Sequence, residues 1–281
     1  MSPDAVAPWL LAVKIALYSG GLIAIGLALH AAQGILEAPA RKFALVTAAM
    51  ATATALLSGF VRFALTSAQL GAPFDPNNAG LVWQTQGAAL LTLALALALT
   101  GAALLFRSRV AAGLGAIALA ASFALTGHAQ GVSNPLLTPL AVTVHVACAG
   151  FWLAAPATLW PGQNASDDIL IARVKNFSTW AAALIPLLFI LGGWLALRLA
   201  GGLDSLIASL YGQLLLAKLA VATGALALGG YNKLVVTKAL ELHPHRGRSM
   251  LRVALLVDLA FFATALIIVG WATTMTGPPG E

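Results

Sequence analysis

Residues 82–106 read VWQTQGAALLTLALALALTGAALLF, a stretch without a single charged side chain. An α-helix rises about 1.5 Å per residue and the hydrocarbon core of a bilayer is about 30 Å thick, so about 20 such residues cross a membrane. Similar stretches follow one another along the chain. They are continuously apolar and too long for the alternating strands of a membrane barrel. The sequence therefore predicts an all-α bundle of membrane-spanning helices.

The composition of the 281-residue chain favours the same class. Hydrophobic residues make up 60% of it and charged residues only 9%, against about 25% charged residues in soluble domains. The mean hydropathy is +0.92. In such an apolar chain, we interpret the net charge of +6 mainly as a sign of which loops lie in the cytoplasm. A single cysteine excludes a disulfide framework. No phosphate-binding loop, zinc-protease helix or dinucleotide fingerprint is present, so we expect neither an enzyme nor a nucleic-acid-binding protein.

Eight apolar runs predict eight transmembrane helices in a single membrane domain, residues 1–281. The first run is not expected to be a cleaved signal peptide, because no Lys or Arg precedes it and it is too long. The predicted spans are 9–31, 43–65, 82–106, 110–127, 136–160, 177–199, 206–231 and 250–274.

Basic residues predict the orientation of these spans, since cytoplasmic loops carry an excess of Lys and Arg. They concentrate in every second connection: between spans one and two, three and four, five and six, and seven and eight. The alternate connections hold only Arg62 and Arg198, near helix ends. This pattern predicts that both termini lie on the outer, periplasmic side.

Imidazole and thiol groups inside an apolar bundle are candidate metal ligands, because polar groups at membrane depth are costly. His128 ends span four at the predicted outer face. His145, Cys148 and Trp152 share one face of span five, at spacings of three and four residues. Imidazole and thiolate suit copper, whereas the structural alternatives are a hydrogen-bonded His and a packed Cys. His128 and His145 can bind one shared ion only if span five begins above the membrane. Otherwise they would form two separate binding sites along one transport path.

Two further candidates lie near the ends of spans. His30 lies near the inner end of span one, where it is either an exit ligand or an interfacial His with satisfied hydrogen bonds. Met275 at the outer end of span eight offers a thioether to Cu(I), or simply fills space.

Two charged residues are expected to meet between spans seven and eight. Lys218 lies in the middle of span seven and Asp258 about two turns into span eight. An ion pair would offset much of the cost of burying both. We predict a salt bridge that fixes helix register, with a proton-coupling carboxylate as the alternative.

The sequence resembles the copper-resistance D (CopD-like) family of bacterial inner-membrane proteins over most of residues 120–281. The likeness is carried by Gly127-His128-Ala129, by HVACAGFWLAAPATLW from His145, and by Asn176-Phe177-Ser178. The longest part is YGQLLLAKLAVATGALALGGYNKLVVTKAL from Tyr211, followed by LRVALLVDLA. The family usually has two glycines where Ala154-Ala155 stand and Glu in place of Asp258. By position, the resemblance extends to His128, His145, Trp152, Lys218, Asn232 and Asp258.

The resemblance implies a multi-pass inner-membrane protein of copper homeostasis and resistance. Our first hypothesis is transport: copper, as Cu(I), passes from a periplasmic chaperone or copper-binding protein to His128, then to His145 and Cys148, and on to the cytoplasm. The second is a haem b cytochrome with axial ligands from His30, His128 and His145, although a path through two haems would need four intramembrane histidines. The third is a scaffold that holds copper for a periplasmic partner. No ATP site is visible, and membrane lipids are the other expected partners.

Overall fold

The computed structural model describes residues 3–36, 38–70, 75–125, 136–162 and 166–276. Within these residues all the regular secondary structure is helical, which confirms the predicted all-α class. Seven helices are long and apolar enough to cross a membrane. The helices are α1 (Pro3–Ala32), α2 (Ala38–Gln69), α3 (Pro76–Phe106), α4 (Arg109–Ala124), α5 (Leu137–Leu153), α6 (Ala155–Leu159), α7 (Asp167–Leu199), α8 (Leu203–Ala208), α9 (Leu210–Tyr231), α10 (Thr237–Leu242) and α11 (Pro244–Trp271), with π-helical turns at Asn232–Val236 and Ala272–Thr276.

The predicted fourth span corresponds to α4, a helix of 16 residues. At about 24 Å it is shorter than the hydrocarbon core. The predicted end of this span, up to residue 127, lies outside the described residues. The count of eight crossings therefore stays a prediction, while seven spans have the required length.

Two helices extend well beyond their predicted ends. α7 begins at Asp167, ten residues before the predicted start of that span, and Ser166 caps it. The helix that begins at Leu210 continues through the π-helical turn to Leu242, where the sequence predicts a basic loop after residue 231. Hydropathy marks only the apolar part of a helix, whereas Lys and Glu are good helix formers outside it. The prediction of a loop is wrong here for that reason.

Local sequence explains where other helices begin and end. Asp75 caps α3, because its carboxylate accepts hydrogen bonds from the backbone N–H groups of Asn77 and Asn78. The predicted fifth span is interrupted at Ala154, between α5 and α6. Pro156 has no N–H and its ring conflicts with the preceding turn, which accounts for the break.

Helix α1 lies at the centre of the helix packing, against α2, α3, α4, α5 and α11. It crosses α5 very closely at two glycines. A Cβ atom on Gly26 would overlap the carbonyl oxygen of Gly150, and a Cβ atom on Gly150 would lie 2.8 Å from the carbonyl oxygen of Leu22. Small residues at helix crossings allow such contact between backbones in membranes.

Ion pairs connect the helices at the end of the bundle that includes the α10–α11 turn. Lys175 of α7 pairs with Glu241 of α10 at 2.5 Å, and Arg248 of α11 pairs with Asp167 of α7 at 2.7 Å. We call the other end, where α1 begins, the N-terminal end of the bundle.

Replacement of Gly26 by Ala is expected to destabilise the protein by about 1–3 kcal/mol, because the clash is with backbone, which cannot rotate away. Gly101→Ala in α3 is the matched control, since nothing lies within 4 Å of a Cβ atom there. Thermal unfolding in detergent measures both. Equal unfolding temperatures for the two variants would contradict the close crossing.

Candidate functional site

A cavity of about 370 Å³ lies toward the N-terminal end of the bundle. Its wall is formed by α1, α2, α3, α4, α5, α7, α9 and α11, together with Thr273 of the last π-helical turn. Most of the wall is Leu, Val, Ala and Phe. The polar residues in it are Lys14, Tyr18, Arg62, Gln86, Ser122, His145, Tyr211, Lys218 and Thr273.

His145 of α5 lines this cavity. Its Nδ1 atom lies 3.2 Å from the carbonyl oxygen of Leu188 in α7. A carbonyl oxygen only accepts, so Nδ1–H donates and Nε2 retains a free lone pair. A hydrogen bond of this kind fixes the ring and directs the other nitrogen to a ligand. Gly192 makes room for the ring, since a Cβ atom there would lie 3.0 Å from Cε1.

Three basic side chains line the same cavity. The Nζ atom of Lys14 donates to the carbonyl oxygen of Thr273 at 2.8 Å and to its hydroxyl at 3.2 Å. Arg62 and Lys218 make no side-chain hydrogen bond or ion pair with any other residue that the structure describes. None of the lining residues is Asp or Glu. The cavity is therefore electropositive as well as largely apolar.

A second polar group lies deeper in the bundle. The indole Nε1–H of Trp152 donates to Oδ2 of Asp258 at 3.3 Å. Asp258 is almost completely buried, and its Oδ1 atom finds no partner among the described residues. Trp152 meets Phe262 edge to face at 5.6 Å between ring centroids, and Phe262 lines the cavity. This aromatic pair connects the cavity wall to the carboxylate through direct contacts.

The predicted ion pair between Lys218 and Asp258 does not form in the described structure. Lys218 lies 24 residues before the end of its helix at Leu242, about 36 Å, whereas Asp258 lies 14 residues after Pro244, about 21 Å. The two side chains therefore differ in height by about 15 Å. The prediction was wrong because it placed the connection at residues 232–249, whereas the first helix ends eleven residues later, at Leu242, and the second begins six residues earlier, at Pro244.

Cys148 belongs to the core and not to the cavity wall. It packs with Trp152, Leu188 and Ala225 in one buried cluster. This placement matches the structural alternative that the sequence left open, a small buried Cys that packs.

Asn232 lies at the start of the π-helical turn that continues α9. Its backbone carbonyl oxygen accepts from the hydroxyl of Thr237 at 3.0 Å, and its side-chain Oδ1 is buried with no partner among the residues described. By the same count of residues it lies level with Ala254, one turn of α11 from Asp258. Two acceptor oxygens without partners thus lie at neighbouring heights.

His30 uses both ring nitrogens within the protein. Nε2 lies 2.9 Å from the carbonyl oxygen of Phe151, and Nδ1 lies 3.0 Å from the hydroxyl of Thr158. The rings of Phe151 and Phe177 pack edge-on against it. Of the two predicted roles, the structure matches the His with satisfied hydrogen bonds and leaves no nitrogen for a metal.

The remaining predicted ligands do not join His145. Met275 is half-buried in the last π-helical turn and does not line the cavity. His128 lies outside the described residues. Within the described part of the chain, no group of three or more His, Cys, Asp or Glu side chains is placed to hold a metal ion.

Lys14 and Arg62 belong to the site, although sequence reasoning predicts no role in it for either residue. In the sequence, Arg62 counts only as a base near a helix end. Their occurrence inside apolar runs was the available signal, but only packing shows that they share one cavity.

Comparison with known proteins gives one match. Residues 171–272, which are 102 of the 281 residues, match the family model described as Copper resistance protein D. This segment is CopD-like. The resemblance seen in the sequence is confirmed over these residues. No curated protein and no solved structure matches the chain.

The CopD-like segment runs from α7 to the last π-helical turn. It includes Lys218, Asn232 and Asp258, whereas His145 and Trp152 belong to the helices before it. The cavity and the Trp152–Asp258 hydrogen bond therefore both join the CopD-like helices to the N-terminal part of the bundle. With its long apolar helices, the chain is a multi-pass membrane protein, and its segment 171–272 resembles a copper-resistance family.

Trp152→Phe is expected to lower the free energy of unfolding by about 1–3 kcal/mol, because the buried carboxylate of Asp258 loses its hydrogen-bond donor. Trp180→Phe is the matched control, since this indole is 41% exposed on α7. The measurement is chemical unfolding in detergent micelles. In an Asp258→Leu background the cost of Trp152→Phe should shrink; the same cost in both backgrounds would argue against the hydrogen bond.

Proposed function

We propose that this protein binds copper in the cavity at the N-terminal end of the bundle and moves it across the membrane. The observation that carries the proposal is His145, whose ring is fixed by the carbonyl oxygen of Leu188 and whose Nε2 is left for a ligand. Copper is the cargo and not a resident cofactor. A site with few soft ligands suits reversible exchange better than a closed tetrahedral site.

One imidazole is too few for a copper site, and His128 is the second ligand in the proposal. His128 follows α4, whose last turns contribute Ser122 and Phe123 to the cavity wall. Imidazole donors suit copper, and Cu(I) is the proposed oxidation state, although neither Cys148 nor Met275 lines the cavity. A periplasmic copper chaperone is the proposed donor to this site.

The proposed path continues from the cavity toward the α10–α11 turn. The Trp152–Phe262 pair lies along this proposed path, and passage would require these rings to move. Beyond them, the free oxygens of Asp258 and Asn232 offer acceptors to a cation. Asp258 is the described carboxylate that is buried in the bundle, which makes it the candidate for coupling transport to a proton.

The charge distribution supports an orientation in which the cavity opens to the periplasm. The opposite end includes Lys175, Lys238 and Arg248, and positive loops stay in the cytoplasm. Copper would then enter at His145 and leave beside the basic end. The proposal includes no chemical conversion, so the protein would act as a carrier and not as an enzyme.

A haem b protein is the second candidate, and the size and apolar wall of the cavity favour it. Among the described residues His145 is the single His in that wall, so a second axial ligand would have to come from His128. An absorption spectrum of the purified protein separates the candidates, because haem b gives a Soret band and sharp reduced bands.

Replacement of His145 by Ala is expected to weaken Cu(I) binding by at least about tenfold, which is the loss of one ligand bond worth about 1.4 kcal/mol or more. His128→Ala should weaken it similarly if this residue completes the site. His245→Ala, in an exposed position at the start of α11, is the control. Competition titration with a chromophoric Cu(I) chelator measures the affinities, and liposome uptake of copper separates a carrier from a scaffold. Unchanged affinity in both His variants would remove the proposed site.

Cysteine labelling is expected to place the N-terminal end of the bundle outside. In a Cys148→Ala background, Ala208→Cys should react with a membrane-impermeant maleimide in intact spheroplasts. Lys238→Cys, at the opposite end, should react only after permeabilisation. Both replaced side chains are exposed, so the difference reports sidedness. The reverse pattern would overturn the orientation and the direction of entry.

A further inference from the structure

The charge in the cavity wall is unbalanced. Lys14, Arg62 and Lys218 all line it, and no carboxylate does. The stretches 71–74 and 126–135, which the structure does not describe, contain no Asp or Glu, whereas residues 277–281, which are also not described, end in Glu281. Among the side chains that the structure describes, no carboxylate lines the cavity beside these three basic residues.

The carboxylates whose side chains the structure describes do not neutralise these three cations. Asp258 differs in height from Lys218 by about 15 Å along the helices. Asp75 at the same end caps α3 through the backbone N–H groups of Asn77 and Asn78. Asp204, in the short helix α8, is exposed and does not line the cavity. The three cations thus have no internal counter-charge among the described residues.

Uncompensated cations in an apolar wall are unfavourable, because charge taken out of water must be paired or hydrogen-bonded. Lys14 is partly compensated by the two oxygens of Thr273. Arg62 and Lys218 have no such partner among the residues described. An anion from outside the protein would supply the negative charge that the cavity wall lacks.

The volume and the apolar wall of the cavity indicate the size and the chemical character of the uncharged part of that anion. A volume of about 370 Å³ falls within the range of about 300–1,000 Å³ that small organic ligands occupy. A bare metal ion or a chloride would leave most of the apolar wall without contacts. The walls between α1, α5 and α11 are formed by Leu, Val and Phe side chains, which pack against hydrocarbon.

We propose that this cavity binds an organic carboxylate with an apolar body, whose carboxylate pairs with Arg62 and Lys218. The bilayer in which the protein lies is the source of such a molecule, a single-chain carboxylic acid. The proposal does not depend on copper binding at His145. If copper does bind there, the same positive wall requires that it arrive together with negatively charged ligands.

A series of three probes with the same ten-carbon chain tests the proposal on the intact protein in neutral detergent. The probes are decanoate, decanol and decyltrimethylammonium, and the measurement is the unfolding temperature as a function of probe concentration, which yields apparent affinities. Decanoate should bind about tenfold or more tightly than decanol, the factor expected for a charge-assisted contact. Equal stabilisation by decanoate and decanol, or the strongest stabilisation by the cationic probe, would overturn the proposal without any variant.

Variants of the basic residues test which side chains bind the carboxylate of decanoate. Arg62→Met and Lys218→Met should each reduce the preference for decanoate over decanol, and Lys218→Arg should retain it. Arg198→Met is the matched control, because this guanidinium lies over the ring of Trp194 at the same end and does not line the cavity. If Arg198→Met loses the preference as fully as Arg62→Met, the recognition is a surface-charge effect and the proposal is wrong.

His145→Ala separates this proposal from the copper proposal. The variant should lose copper binding and keep its preference for decanoate over decanol. Loss of that preference in His145→Ala, with Arg62 and Lys218 intact, would contradict the assignment of the carboxylate to those two cations. Failure of copper binding in the wild-type protein would leave the carboxylate site standing.

Discussion

The register of the hairpin formed by Leu210–Leu242 and Pro244–Thr276 determines which polar side chains meet in this bundle. Because the first helix continues through a π-helical turn to Leu242, Lys218 lies beside the cavity and Asp258 lies about 15 Å lower. The hairpin thereby separates a cluster of cations from the buried carboxylate. With the turn at residue 243, Lys218 stays in the cavity wall and does not reach Asp258.

Hydrocarbon offers no hydrogen bonds, so a membrane bundle must satisfy its polar groups internally, and those that it leaves unsatisfied are informative. His30 shows the first situation, since both of its nitrogens have partners in a fully buried position. Trp152 and Asp258 satisfy each other only in part. Arg62 and Lys218 show the second situation, because no described residue neutralises them. In this bundle, whether a buried polar residue has hydrogen-bond or charge partners within the protein is therefore a better guide to a structural or functional role than its amino-acid type.

The sequence alone predicts the helical membrane class, seven of the spans and the CopD-like segment, because these depend on composition and order along the chain. It does not predict helix ends outside the apolar core, and the error over α10 produced the wrong ion pair. The sequence also does not predict that Lys14, Arg62 and His145 line one cavity, because these residues meet only after three helices have packed together. Sequence spacing relates residues on one helix, whereas the site is built across several.

A positive cavity and a copper-resistance segment place opposite demands on one site. Copper ions are cations, and Lys218 beside His145 in the cavity wall opposes a bare cation there. The conflict disappears if negative charge accompanies the metal, because the wall then stabilises the complex and the imidazole competes for one of its coordination positions. Release toward Asp258 would follow the same electrostatics, since the environment changes from cations to acceptor oxygens along the path. Selection in such a protein would rest on the net charge of the cargo as much as on the softness of the metal.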